Sequence, residues 1–309
     1  MGGVLAGFSI IWVVIGVGYL VGRAGILGEH GRYVLNRLTF FVASPALLFM
    51  TLSESDPASV VGPLLWVAGI SAVITALIYH LATSRWLKRS ASERIIAAIS
   101  ASTVNSANLG IPIAVYVLGD AQIAAPIVLF QLALYQPVNL AMLDSTTSEK
   151  RTTALSIILA TARNPVIIGS MLGLVVALAG LKLPALVLEP IDLIAGASIP
   201  AMLMAFGMSL VGSRPLSRKS GRRIDVLLAS GMKLLVQPAL AWALAYFVFG
   251  LRGEVLTASV IMAGLPTAQN VFVTASRYEH GVTLAKDTVL VTTLGAIPMM
   301  MVLAVLLGI

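Results

Sequence analysis

The sequence predicts an all-α integral membrane protein of ten transmembrane helices, built as a five-plus-five inverted repeat with two broken helices, in the fourth and ninth spans. Three observations carry that expectation. Of 309 residues, 58% are hydrophobic and 11% charged, with a mean hydropathy of +0.97, whereas a soluble domain carries about 25% charged residues. Basic residues alternate between the gaps separating apolar stretches. Proline and glutamate landmarks recur about halfway along the chain.

A span needs about 20 predominantly apolar residues. Ten such stretches can be drawn, at 4–22, 34–52, 60–82, 95–118, 122–143, 164–181, 188–212, 224–250, 255–279 and 285–308. The first lacks the basic leader of a signal peptide and reads as a retained span. Its Gly16, Gly18 and Gly22 allow close helix approach. The loops after odd-numbered spans hold 17 of the 20 Lys and Arg residues, from Arg23 to Lys286. The opposite loops hold Lys182 and Arg252, and Lys233 lies inside a span. By the positive-inside rule the odd-span loops are cytoplasmic, and both termini face outward.

Residues 1–143 then form the first repeat, 144–163 a cytoplasmic central loop and 164–309 the second repeat. Pro45 and Pro200 stand 155 apart, and Pro112 and Pro266 154 apart. Glu93 and Glu254, opening the fourth and ninth spans, are 161 apart, as are Pro137 and Pro298. Five spans per half is an odd number, so the second half enters the membrane inverted, as in many secondary transporters.

Several function classes are excluded or unsupported. There is no cysteine, so disulfides and thiolate sites are absent. His30, His80 and His280 lack metal-ligand spacing. No His-Glu-x-x-His, G-x-S-x-G or P-loop pattern appears. The expectation is a protein that is no enzyme and takes no metal or cofactor. The net charge of +7 reflects topology and anionic lipid heads, not a nucleic-acid partner. No acidic residue lies deep in a span, so sodium or carboxylate-based proton coupling has no direct support.

The chemistry concentrates at two interruptions, Ser100–Pro112 and Met262–Asn270. Gly110 and Pro112 break helix in the first, and Gly264 and Pro266 in the second. After each break a half-helix is expected to begin near midplane, with Pro112 or Pro266 close to its first turn. Its free amides and the dipole's positive end would attract an anion, above all a carboxylate. Asn105, Ser106 and Asn108 lie on one segment, with Thr267, Gln269 and Asn270 on the other. Their polar groups can either hold a substrate or satisfy loosened backbone, and both uses stay open. Lys233 is the one ionisable side chain expected near mid-membrane, to neutralise a carboxylate, sense protonation, stabilise carbonyls at the breaks or snorkel. Gln131, Gln136 and Asn139 in the fifth span are further substrate candidates.

Leu35–Phe49, Asn108–Pro112, Arg163–Gly169 and Gly264–Asn270 together give the chain a whole-length resemblance. It resembles the auxin efflux carrier family of bacterial permeases, related to the plant PIN exporters. The resemblance implies that Pro112 and Pro266 mark a crossover, and that spans one, two, six and seven form a scaffold that dimerises. Spans three to five and eight to ten would form a transport domain moving by an elevator-like step. It implies a small organic anion as substrate, auxin in plants and malate, malonate or related carboxylates in bacteria. Asn105 or Asn108 matches the family's crossover asparagine, and Asn270 is the looser match. The central loop is short, so the expectation is a compact carrier of the bacterial inner membrane. The competing expectations are a sodium-coupled organic anion symporter of the bile-acid symporter type and a non-transporting membrane sensor.

Overall fold

The computed structural model describes residues 2–56, 60–87, 89–147, 153–212, 216 and 221–308. Part of the central loop and most of the basic run from Arg214 to Arg223 lie outside them. Among the described residues every regular element is helical, and the sole pairing of extended backbone is an antiparallel bridge between Val104 and Thr267.

Helix α1 is Gly2–Ala24, α2 is Gly31–Ser53 and α3 is Pro63–Trp86. Helices α4 (Ala91–Ser102) and α5 (106–116) flank the first break. Next come α6 (Ala121–Thr146), α7 (Ala154–Ala162), α8 (Pro165–Leu178), α9 (Ala185–Ser209) and α10 (Arg223–Val248). Helices α11 (Gly253–Ala263) and α12 (Gln269–Tyr278) flank the second break, and α13 is Val282–Leu307. Five of these helices (α2, α3, α6, α9 and α10) are long and apolar enough to cross a membrane; α13, bent by 46° before Pro298, makes six if it counts as one span. The chain is a helical, multi-pass membrane protein.

Prolines shape the long helices in a regular way. Proline donates no N–H, and its ring clashes with the carbonyl four residues back. For Pro45, Pro112, Pro137 and Pro238 that carbonyl belongs to Phe41, Asn108, Ala133 and Leu234. Each of those residues is the centre of a five-residue π turn: Thr39–Ala43, Ser106–Gly110, Gln131–Tyr135 and Met232–Val236. The helix widens where the bond cannot form, instead of ending.

Helices α1, α2, α8 and α9 pack on one another through small residues. A Cβ on Gly18 would stand 2.4 Å from the Met204 carbonyl oxygen, and one on Gly207 2.0 Å from that of Ile15. Gly169 meets the Pro45 carbonyl in the same way, whereas Gly16 faces open space. Ser44 and Ser198 join their hydroxyls at 3.0 Å inside this group. Helices α3–α6 and α10–α13 gather around the two breaks.

At one end, Arg89 grips Asp225 through two hydrogen bonds of 3.2 and 2.8 Å, and Arg222 pairs with Glu93. These pairs tie the α3–α4 connection to the start of α10. The Asp225 carboxylate pushes Arg89 above its usual range by accepting those bonds.

Candidate functional site

Helix α4 ends because Thr103, Val104 and Asn105 leave helical geometry, and α11 ends at Gly264 and Pro266. The two extended segments cross antiparallel. Asn105 N donates to Pro266 O at 2.8 Å, and Ala268 N donates to Thr103 O at 3.0 Å. Glu93 and Glu254 each sit in the first turn of the helix leading to the crossing, as the sequence register implies. The two prolines do not keep that register. Pro112 lies inside α5 behind its π turn, while Pro266 lies in the extended segment before α12.

Helix ends leave carbonyls without intrahelical partners, and inside a membrane protein each must be satisfied. Here Thr267 Oγ1 donates to Ser100 O at 2.7 Å and Gln237 Nε2 to Ser102 O at 2.9 Å. Lys233 Nζ donates to Ala263 O at 2.8 Å, and Thr292 Oγ1 accepts from Thr267 N at 3.0 Å. Thr267 and Lys233 are both fully buried. Two of the polar residues singled out in the sequence are thus engaged with backbone.

Asn105 caps α5, its Oδ1 accepting from Asn108 N at 3.3 Å, while its Nδ2 is buried without a partner. Ser106 Oγ donates to Gln131 Oε1 at 2.8 Å. Gly110 faces Leu265 and Met262, either of which would stand 3.1 Å from an added Cβ, so the α5 backbone approaches the end of α11 closely. Asn108 is half-buried. Gln269 turns away from the crossing, its Nε2 reaching Ser209 Oγ on α9 at 3.3 Å.

The remaining candidates meet in one cleft between α4, α6 and α12. Gln131, Gln136, Asn139 and Asn270 line it together with Thr103, Tyr135 and Thr274. Asn270 Nδ2 donates to Gln136 Oε1 at 3.2 Å, and its Oδ1 is buried without a partner. Asn139 Nδ2 donates to Tyr135 O at 2.7 Å, and the Tyr135 hydroxyl meets Ser102 Oγ at 2.6 Å. The π turn Gln131–Tyr135 aims both Gln131 and Tyr135 inward, since both are buried. The free volume is about 20 Å³, room for a water molecule or two.

Thr103, Tyr135, Thr274 and Gln237 escaped the sequence reading. Tyr135 precedes Asn139 by one helical turn, and Gln237-Pro238 repeats the Gln136-Pro137 pattern, so signals existed for both.

The chain matches the family of membrane transport proteins over residues 7–304. It belongs to that family. Relatives within it include bacterial transporters and plant auxin efflux carriers, so the resemblance drawn from the motifs holds. A protein of Rhizobium meliloti named "Putative malonate transporter" is 29% identical, with 94% of this chain and 90% of that one covered. An uncharacterised transporter of Methanocaldococcus jannaschii is 23% identical, with 92% of each chain covered. Auxin efflux carrier component 1 of Arabidopsis thaliana is 28% identical over 150 residues, which are 47% of this chain and 24% of the plant protein. As a member of the membrane transport protein family, the chain acts in a lipid environment on a small molecule.

Proposed function

We propose that this membrane transport protein is a secondary carrier for a small organic anion, a carboxylate such as malonate, malate or an auxin-like acid. The observation that carries the reading is the cleft beneath the crossing, where Gln136, Asn139 and Asn270 meet the first turn of α12. The amides there supply neutral donors, and the helix N-terminus adds roughly half a positive charge. The name of the Rhizobium meliloti relative supports a dicarboxylate of malonate size.

The proposed architecture is the ten-span inverted repeat, with the crossing of α4–α5 and α11–α12 near midplane. The proposed scaffold is α1, α2, α8 and α9, and the transport domain is the helix group around the crossing. With the basic loops facing the cytoplasm of a bacterial inner membrane, the cleft opens on the cytoplasmic side, since α12 descends from the crossing towards Arg277. Alternating access then moves the crossing past the scaffold in an elevator-like step, breaking contacts such as Gln269–Ser209.

The test is solid-supported-membrane electrophysiology on purified protein in liposomes, screening malonate, malate, other small carboxylates and indole-3-acetate. The expected result is a saturable current or counterflow for at least one acid, weakened in the Asn270→Ala and Gln136→Ala variants. Saturable transport unaltered by both substitutions would remove the cleft from the mechanism, and absence of binding and counterflow for every acid would remove the anion.

A further inference from the structure

We propose that Lys233 is a resident cation, its ammonium occupying the place at the crossing where an ion-coupled carrier of this plan binds its alkali cation, so that transport runs without one. This rests on the carrier reading above and adds its coupling. In transporters with broken helices, the C-terminal ends of half-helices and the unwound carbonyls beyond them are what coordinate a coupling cation. Both such ends are present here. Helix α4 ends at Ser102 and α11 at Ala263, on either side of the Val104–Thr267 bridge. Each brings roughly half a negative charge to the crossing.

Lys233 Nζ sits at this point, 2.8 Å from Ala263 O, and the side chain is 0% exposed. Neither ion pair found among the described residues involves it. The amine of a buried lysine must be matched, and its acceptor here is the Ala263 carbonyl oxygen. The lysine ammonium is a compact point charge with three donors, close in kind to a hydrated alkali ion. The π turn Met232–Val236, forced by Pro238, is the local reason the side chain reaches the α11 terminus.

A second observation points to the same place. Gln237, one helical turn beyond Lys233, spends its Nε2 on Ser102 O and leaves Oε1 buried without a partner. Gln237 and Ala263 share the wall of a void of about 10 Å³, the size that holds one water. Ala263 O and Gln237 Oε1 are oxygens of the kind hard cations take, set in a wall that is otherwise mostly apolar. Removing the lysine would expose a vacancy that sodium can fill.

The experiment compares wild type, Lys233→Met and Lys233→Arg in sodium, potassium and choline media. Thermal unfolding is followed by tryptophan fluorescence, and uptake of malonate is measured in parallel. The wild type is expected to melt and transport alike in all three media. Lys233→Met is expected to melt lower in choline and to regain about 2 °C or more with sodium. Lys233→Arg, which keeps the charge, should show no such cation dependence. The proposal is overturned if the wild type gains stability or uptake from sodium, or if sodium restores no stability to Lys233→Met. Should Lys233→Met not fold in choline, its folded yield on purification in sodium against choline is the readout, and equal yields overturn the proposal. Unfolding is read without substrate, so a failure of this inference stays separate from a failure to find a transported acid.

Discussion

Replacing Thr267 by valine deletes one hydroxyl and keeps the side-chain shape, so it probes what holds the two broken helices together. The hydroxyl donates at 2.7 Å to Ser100 O, one of the last carbonyls of α4, from a fully buried position. Without it that carbonyl loses its cross-helix donor, while the Thr267 amide keeps its bond to Thr292 Oγ1. Leaving a buried acceptor unmatched costs about 1–3 kcal/mol. At the roughly 2–4 °C per kcal/mol typical of larger domains, the melting temperature should fall by about 2–12 °C. The four tryptophans give the fluorescence signal, read in detergent on both variants and wild type. Thr267→Ser retains the donor and should lose less than half as much. A valine variant melting within about 1 °C of wild type would refute the argument that this hydroxyl closes the crossing.

Gly207→Ala should lower the melting temperature by pushing α1 away from α9, because the new methyl would stand 2.0 Å from Ile15 O; overpacking of this kind costs about 1–3 kcal/mol, and Gly16→Ala, facing open space, serves as the neutral control. Asp225→Asn unpairs Arg89, whose side chain is 27% exposed, so the loss should be near 1 kcal/mol and shrink as salt is raised. Asn270→Ala frees Gln136 and removes a cleft amide, and should weaken acid binding about tenfold, near 1.4 kcal/mol, with melting little changed.

Much of the plan could be read from residue order, and the parts that could not have physical reasons. Low charge and the alternation of basic loops depend only on each residue's own preference for water or lipid, so the apolar stretches fall on helices. The polar interruptions were visible because Asn108-Leu-Gly-Ile-Pro112 and Gly264-Leu-Pro266 are poor helix formers. Yet the first break lies at Thr103–Asn105, upstream of Gly110 and Pro112. Proline there is accommodated by a π turn, and the actual break is stabilised by pairing with residues some 160 positions away. No local propensity encodes that pairing. The same non-locality explains Lys233 and Thr267, whose partners Ala263 O and Ser100 O are backbone atoms of other helices. Backbone acceptors carry no signature in sequence. The cleft was half legible: Gln131, Gln136, Asn139 and Asn270 stood out as amides in apolar stretches, whereas Thr103 and Thr274 are ordinary residues in a membrane helix.

The most direct test of the central claim, that the cleft under the crossing is the transport site, uses the absence of native cysteine. A single Asn139→Cys substitution places one thiol on the cleft wall. Its labelling by a membrane-impermeant maleimide is timed from each side of oriented vesicles, with and without a saturating concentration of the transported acid. The account predicts labelling from the cytoplasmic side that the acid slows. Labelling that the acid leaves unchanged, or that proceeds only from outside, would contradict it.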